Sequence, residues 1–175
     1  NMPKEEAEKL VEALKAAGWF YNKKVEINWV DSETITRETA PEILKDANGI
    51  IVPGGFGSRG VEGMLEAIRY ARINKVPYLG LCLGMQTAII EFARDVLNFP
   101  DANSAEFNPG SMHPVIHLMP EQEKVTDLGA TMRLGSYPCH LDPASKTYQL
   151  YGQADISERH RHRYEVNNDY REQLR

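Results

Sequence analysis

The chain has 175 residues, 42% hydrophobic and 26% charged, with a formal net charge of −5. That length supports one substantial core and predicts a single globular domain, while the acidic balance argues against a general binder of nucleic-acid phosphates, which presents a basic face. No apolar run approaches the roughly 20 residues of a membrane span, the N-terminus lacks a signal-peptide core, and Cys82 and Cys139 are too few for a disulfide scaffold, so the expectation is a soluble, cytoplasmic protein with reduced thiols, no nucleic-acid partner and no membrane association.

Along the chain, Ala7, Leu10, Val11, Leu14 and Ala17 recur at helical spacing and predict an amphipathic helix over residues 4–17, with Gly18 as its stop signal. Residues 25–30 alternate apolar with polar and read as a strand, and Asp31-Ser32 supplies turn or cap chemistry. A short helix is predicted over 40–45. Next come a strand at Gly49-Ile50-Ile51-Val52 that stops at Pro53-Gly54-Gly55, a helix over 61–73, a second apolar run from Pro77 to Cys82, and a helix from about Met85. This alternation favours an α/β fold, a three-layer sandwich around a central, mainly parallel sheet, with functional groups at the carboxyl ends of its strands. Beyond residue 100 the pattern loosens, and strands are predicted at 115–119, 131–134 and 163–166.

Gly80-Leu81-Cys82-Leu83-Gly84 has the G-x-C-x-G form, the thiol counterpart of a nucleophile elbow. At such a strand-to-helix turn the nucleophile sits in strained backbone, and the residues two before and two after must be small. The following helix offers N–H groups and its positive dipole end, which predicts a lowered thiol pKa and a place for an oxyanion. A buried structural cysteine between incidental glycines is the bland alternative. The glycine loop after residue 52 could instead cradle a phosphate, but no G-x-x-x-x-G-K-[ST] is present.

The flanks widen the elbow to Pro77-Tyr78-Leu79-Gly80-Leu81-Cys82-Leu83-Gly84-Met85-Gln86, which resembles the nucleophile segment of class I glutamine amidotransferases, and Val52-Pro53-Gly54-Gly55-Phe56-Gly57 resembles their oxyanion loop. Residues 101–107, 129–135 and 158–167 are similar to the CTP synthase family, whose C-terminal domain is a glutaminase of this class. The resemblance implies Cys82 as nucleophile, with Gly54, Gly55 and Leu83 serving the oxyanion. It also implies L-glutamine held by Gly55, Leu83, Gly84, Met85, Gln86, Glu106 and Arg163. An Arg fork suits the carboxylate and an acid suits the ammonium. Further implied are an N-terminal synthetase domain aminating UTP to CTP with ATP and Mg²⁺, GTP as allosteric activator, no cofactor in the glutaminase domain itself, and a homo-oligomer, a tetramer by resemblance.

Arg159-His160-Arg161-His162-Arg163 could be a metal tract, a nucleic-acid patch or a solvated charged turn. Two histidines without a nearby Cys or His partner predict no metal site, and Arg159 and Arg161 are expected to pair with acids such as Glu158 and Glu165. Cys139 reads as structural, Met132 and the aromatics as core, and Glu121 and Asp127 as part of a loop resembling a lid near the glutaminase entrance. The resemblance places the catalytic base and its carboxylate in a downstream His-Pro-Glu segment. The sole His-Pro here, His113-Pro114, is followed by Val115 and lies in a different block. Residues 1–175 therefore read as a glutaminase domain incomplete at both ends. Alternatives are another class I amidotransferase, a related cysteine hydrolase, or a non-catalytic binding module of the same fold.

Overall fold

The computed structural model describes residues 2–118 and 133–175. Helix α1 (Lys4–Phe20) carries Glu5 and Glu6 in its first turn, where the helix dipole favours acids, and it runs past Gly18 rather than ending there. Gly18 is buried because the chain doubles back across it. A Cβ there would lie 2.6 Å from the Val25 Cγ2 and 2.8 Å from the Lys23 carbonyl. The glycine thus serves close approach rather than termination. The alternating stretch at 25–30 is not a strand: residues 24–30 make no backbone hydrogen bond to another described residue, and a strand exists only through its neighbour.

A 3-10 turn at Ser32–Thr34, capped by the Asp31 carboxylate, leads through α2 (Ala40–Ile43) into β1 (Ile50–Val52). Then follow α3 (Val61–Asn74), β2 (Tyr78–Gly80) and α4 (Leu83–Asp95), which starts two residues before Met85. Strands β1 and β2 pair in parallel, Ile50 opposite Tyr78 and Val52 opposite Gly80, as a helical crossover requires.

The later strands are β3 (Asn103–Ser104), β4 (Pro114–Leu118), β5 (Arg133–His140), β6 (Asp155–His162) and β7 (Tyr164–Val166), with helix α5 (Lys146–Tyr151) between β5 and β6. They form a sheet in the order β3-β4-β7, parallel then antiparallel, and an antiparallel β5-β6 pair. Of the predicted strands, β4 and β7 occupy two, while Met119, Thr131 and Met132 lie outside the described residues. The sheet is thus less uniformly parallel than the alternating pattern predicted, because everything after β4 returns by antiparallel pairing.

Two faces of α3 serve two cores. Ala67, Ile68 and Ala71 pack with Ile50, Val52, Ala40 and Leu44, while Val61 and Leu65 join Ile90 and Ala93 of α4 and Val115 and Ile116 of β4. Ile90, Val115 and Ile116 are wholly buried, each worth about 1.5–3 kcal/mol relative to exposure. The aromatics divide: Tyr78, Phe99, Phe107 and Tyr164 pack against these cores, but Trp19, Phe20, Tyr21, Trp29 and Phe56 are exposed.

Helix α4 packs against β1, β2, β3, β4 and β7, so its position decides the site. The Arg72 guanidinium fastens α3 to it by a two-pronged bond to Glu91, Nη2 to Oε1 at 2.7 Å and Nε to Oε2 at 3.1 Å. The Glu91 side chain is 4% exposed, so Arg72→Ala leaves a buried carboxylate without its cation. The expected cost is up to about 3–5 kcal/mol, read as a lowered midpoint in urea unfolding. An unchanged midpoint would mean that water replaces the guanidinium.

Candidate active site

Cys82 stands between β2 and α4 with φ 54° and ψ −107°, a backbone conformation that side-chain-bearing residues avoid and that costs about 1–3 kcal/mol. The surroundings enforce it. A Cβ on Gly80 would lie 2.5 Å from the Gly84 carbonyl carbon, and one on Gly84 would lie 2.0 Å from the Val52 oxygen, so both glycines are dictated by backbone packed against backbone. The Tyr78 hydroxyl donates to the Gly84 carbonyl at 2.7 Å, and Thr87 donates to the Leu83 and Gly84 carbonyls, which braces the first turn of α4 from behind.

The backbone amides of Leu83 and Gly55 flank Cys82 and act to lower its thiol pKa, and neither donates to a backbone carbonyl among the described residues. They are therefore available to a negative oxygen forming beside the thiol. Gly54 lies against the same side chain: a Cβ on it would come within 3.9 Å of Sγ. The thiol pKa departs from expectation. Burial pushes it up, the Leu83 and Gly55 amides pull it down, and the charges of Glu106 and Glu6 raise it again. Desolvation outweighs the two amides, and no cation among the described residues offsets it.

No imidazole serves Cys82. His113 bonds Asp101 at 2.5 Å, His117 meets the Leu118 carbonyl, His140 bonds Asp155, and the Nδ1 atoms of His160 and His162 face each other at 3.2 Å. These are all five histidines of the chain.

The remaining polar groups gather by topology. Gly54-Gly55, Cys82 and Glu106 follow the carboxyl ends of β1, β2 and β3 respectively. Buried Ser104 fixes Glu106 by accepting its N–H at 3.2 Å. Because β7 runs antiparallel to β4, Tyr164 pairs with Leu118, and Arg163 arrives at that same edge. The Glu106 carboxyl is crowded rather than covered: burial raises its pKa, against the Gly57 amide and the Arg163 charge, which lower it. The Arg163 Nε is shielded from solvent and has no hydrogen-bond partner, and no carboxylate lies within 4.0 Å of this guanidinium among the described residues. A buried donor left open suits a ligand's anionic group.

Of the other proposed pocket residues, Leu83 and Gly84 are buried at the elbow and Met85 is exposed. Gln86 is also buried, and its side-chain amide donates to the Tyr164 carbonyl at 2.8 Å, tying α4 to the residue after Arg163. Sequence reading set Gln86, Gly57 and Ser104 inside longer segments but missed these three contacts, since which partner each meets is decided by packing. Arg159 and Arg161 are exposed on β6 as expected but do not pair as expected: Glu158 accepts from Tyr151, and Glu165 from Arg133. Those partners win because β5 and the connection to β6 lie beside the acids while both arginines point outward. Cys139 is exposed on β5 opposite Ile156, so it has no core role. Glu121 and Asp127 lie outside the described residues.

Comparison with known proteins follows the same lines. The family described as glutamine amidotransferase class-I matches residues 7–174. The chain is 59% identical over 165 residues to the CTP synthase of Carboxydothermus hydrogenoformans, covering 94% of this chain and 31% of that protein. It is 56% identical over 162 residues to the CTP synthase of Geobacillus kaustophilus, covering 93% and 30%. It thus spans less than a third of the length of these curated relatives. Among solved structures, the glutaminase domain of Trypanosoma brucei CTPS with bound acivicin is similar at a TM-score of 0.90 and 38% identity, covering 98% of this chain and 66% of that one.

Proposed function

Because the chain belongs to the class-I glutamine amidotransferase family, we propose that it hydrolyses the side-chain amide of L-glutamine through a γ-glutamyl thioester on Cys82. The ammonia passes to a synthetase domain that aminates UTP to CTP. The observation that carries the first part is the strained Cys82 flanked by two uncommitted amides. The second part rests on the relatives' name and on blocks 101–107 and 158–167.

In this reading the Sγ attacks the amide carbon, and the oxygen that becomes anionic is met by the Leu83 and Gly55 amides. Collapse of the tetrahedral species expels ammonia and leaves the thioester, and water then releases glutamate. The Arg163 guanidinium holds the substrate α-carboxylate and Glu106 its ammonium. Each transfer of a proton needs a base at the sulfur, which the resemblance assigns to a His-Pro-Glu segment not found within residues 1–175. ATP and Mg²⁺, the GTP activation and a tetrameric assembly belong to the proposal for the longer protein.

The test uses the native protein carrying these residues. Hydroxylamine added during turnover should intercept the acyl group as γ-glutamyl hydroxamate, and neither hydroxamate nor ammonia would sink the reading. Arg163→Ala removes a charge-assisted contact typically worth about 1.5–3 kcal/mol, so glutamine use should weaken by roughly 10–150-fold while synthesis from added ammonia survives. Unaltered glutamine kinetics would return Arg163 to a structural role.

A further inference from the structure

Outside the Cys82 site, a group of three metal-ligating side chains comes together among the described residues where β6 meets β7. His160 and His162 alternate along β6 and share one face, and their Nδ1 atoms stand 3.2 Å apart. Two nitrogens bound to one tetrahedral Zn²⁺ at about 2.0–2.1 Å would stand at nearly that separation, a little over 3 Å. The sequence offers no third Cys or His nearby, but the chain turns at Arg163 and brings Glu165 back from β7, so that ligand atoms of all three side chains lie within 4.8 Å of one another. Glu165 is also half committed. Its Oε2 accepts from Arg133 Nη1 at 2.8 Å, while its Oε1 is shielded from solvent and has no hydrogen-bond partner among the described residues. A buried carboxylate oxygen without a donor is what a cation would satisfy.

We propose that His160, His162 and Glu165 bind one divalent cation of the kind that prefers imidazole with carboxylate, such as Zn²⁺. Three protein ligands leave a coordination position for water. The site is separate from Cys82 and does not depend on the glutaminase reading. It adjoins Arg163, so an ion there would stiffen the β6–β7 turn that carries this side chain. The Arg133 guanidinium on Oε2 is the opposing charge, and its removal should favour the ion.

The native protein, stripped with a chelator, is titrated with Zn²⁺ against a chromophoric chelator and with Co²⁺ followed by absorption. One equivalent should bind that is lost or weakened at least about tenfold in each of His162→Gln, His160→Gln and Glu165→Gln, and tightened in Arg133→Gln. Bound Co²⁺ should give visible ligand-field bands without the near-ultraviolet thiolate band that coordination by Cys82 or Cys139 would produce. Because His160 is only partly buried on a two-stranded ribbon, its variant should keep the fold even where Glu165→Gln does not. Absence of Zn²⁺ binding, an equivalent that survives both histidine variants, or a thiolate band abolished by Cys82→Ser would overturn the site. The two rings would then be joined only by a hydrogen bond.

Discussion

Cys82→Ala in the native protein is expected to abolish glutamine-dependent synthesis while leaving synthesis from added ammonia intact. The substitution removes the atom that forms the acyl bond, and losing a nucleophile that acts with its partners as a unit typically costs about 10⁴–10⁶ in rate. It removes little else. The side chain caps no helix, the strained backbone at φ 54° is held by Gly80 and Gly84 rather than by the thiol, and a smaller residue does not relieve or worsen their contacts. Both rates should be measured on one preparation, with the exposed Cys139→Ser as a control expected to be silent. Equal loss of both activities would count against a role confined to glutamine, and a dead Cys139→Ser would move the chemistry away from the elbow.

A second large effect should appear with residues 1–175 as an isolated polypeptide. Every histidine in it is engaged elsewhere, and burial holds the Cys82 thiol above its usual range, so at neutral pH the sulfur stays protonated with no imidazole beside it to take the proton or return it to ammonia. Turnover should fall about 10⁴–10⁶ below that of a polypeptide extended through a His-Pro-Glu segment, below the floor of an ordinary ammonia-release assay. Circular dichroism on both polypeptides separates this loss from failure to fold. The same raised pKa gives an independent sign. Alkylation of Cys82 by iodoacetamide should climb only at pH values above those at which an ordinary thiol reacts, since the thiolate is the reactive form. Brisk turnover by the well-folded short polypeptide would mean that His113, His160 or His162 reaches the sulfur after all.

Much of the site was legible in the sequence because its chemistry is written in short range. G-x-C-x-G demands small residues two positions on either side of the nucleophile, and the structure gives the reason, since backbone atoms of residues 84 and 52 occupy the space that a Cβ at Gly80 or Gly84 would need. The elements around it, β1, α3, β2 and α4, were legible for a related reason: their apolar periodicity reports which face is buried. Where burial and local pattern part company, the reading failed. Gly18 looked like a terminator but is a point of contact, and residues 25–30 look like a strand but have no described neighbour to pair with. The Gln86 bond to Tyr164 and the Arg133–Glu165 pair join residues 78 and 32 positions apart, the raised thiol pKa depends on how much water is excluded, and the return of Glu165 to the two histidines, though close in sequence, depends on the turn at Arg163. Local sequence determined the elbow and its nucleophile. Only the packed tertiary structure decided which charges and amides surround it, because desolvation and long-range pairing are properties of neighbours in space and leave no periodic trace along the chain.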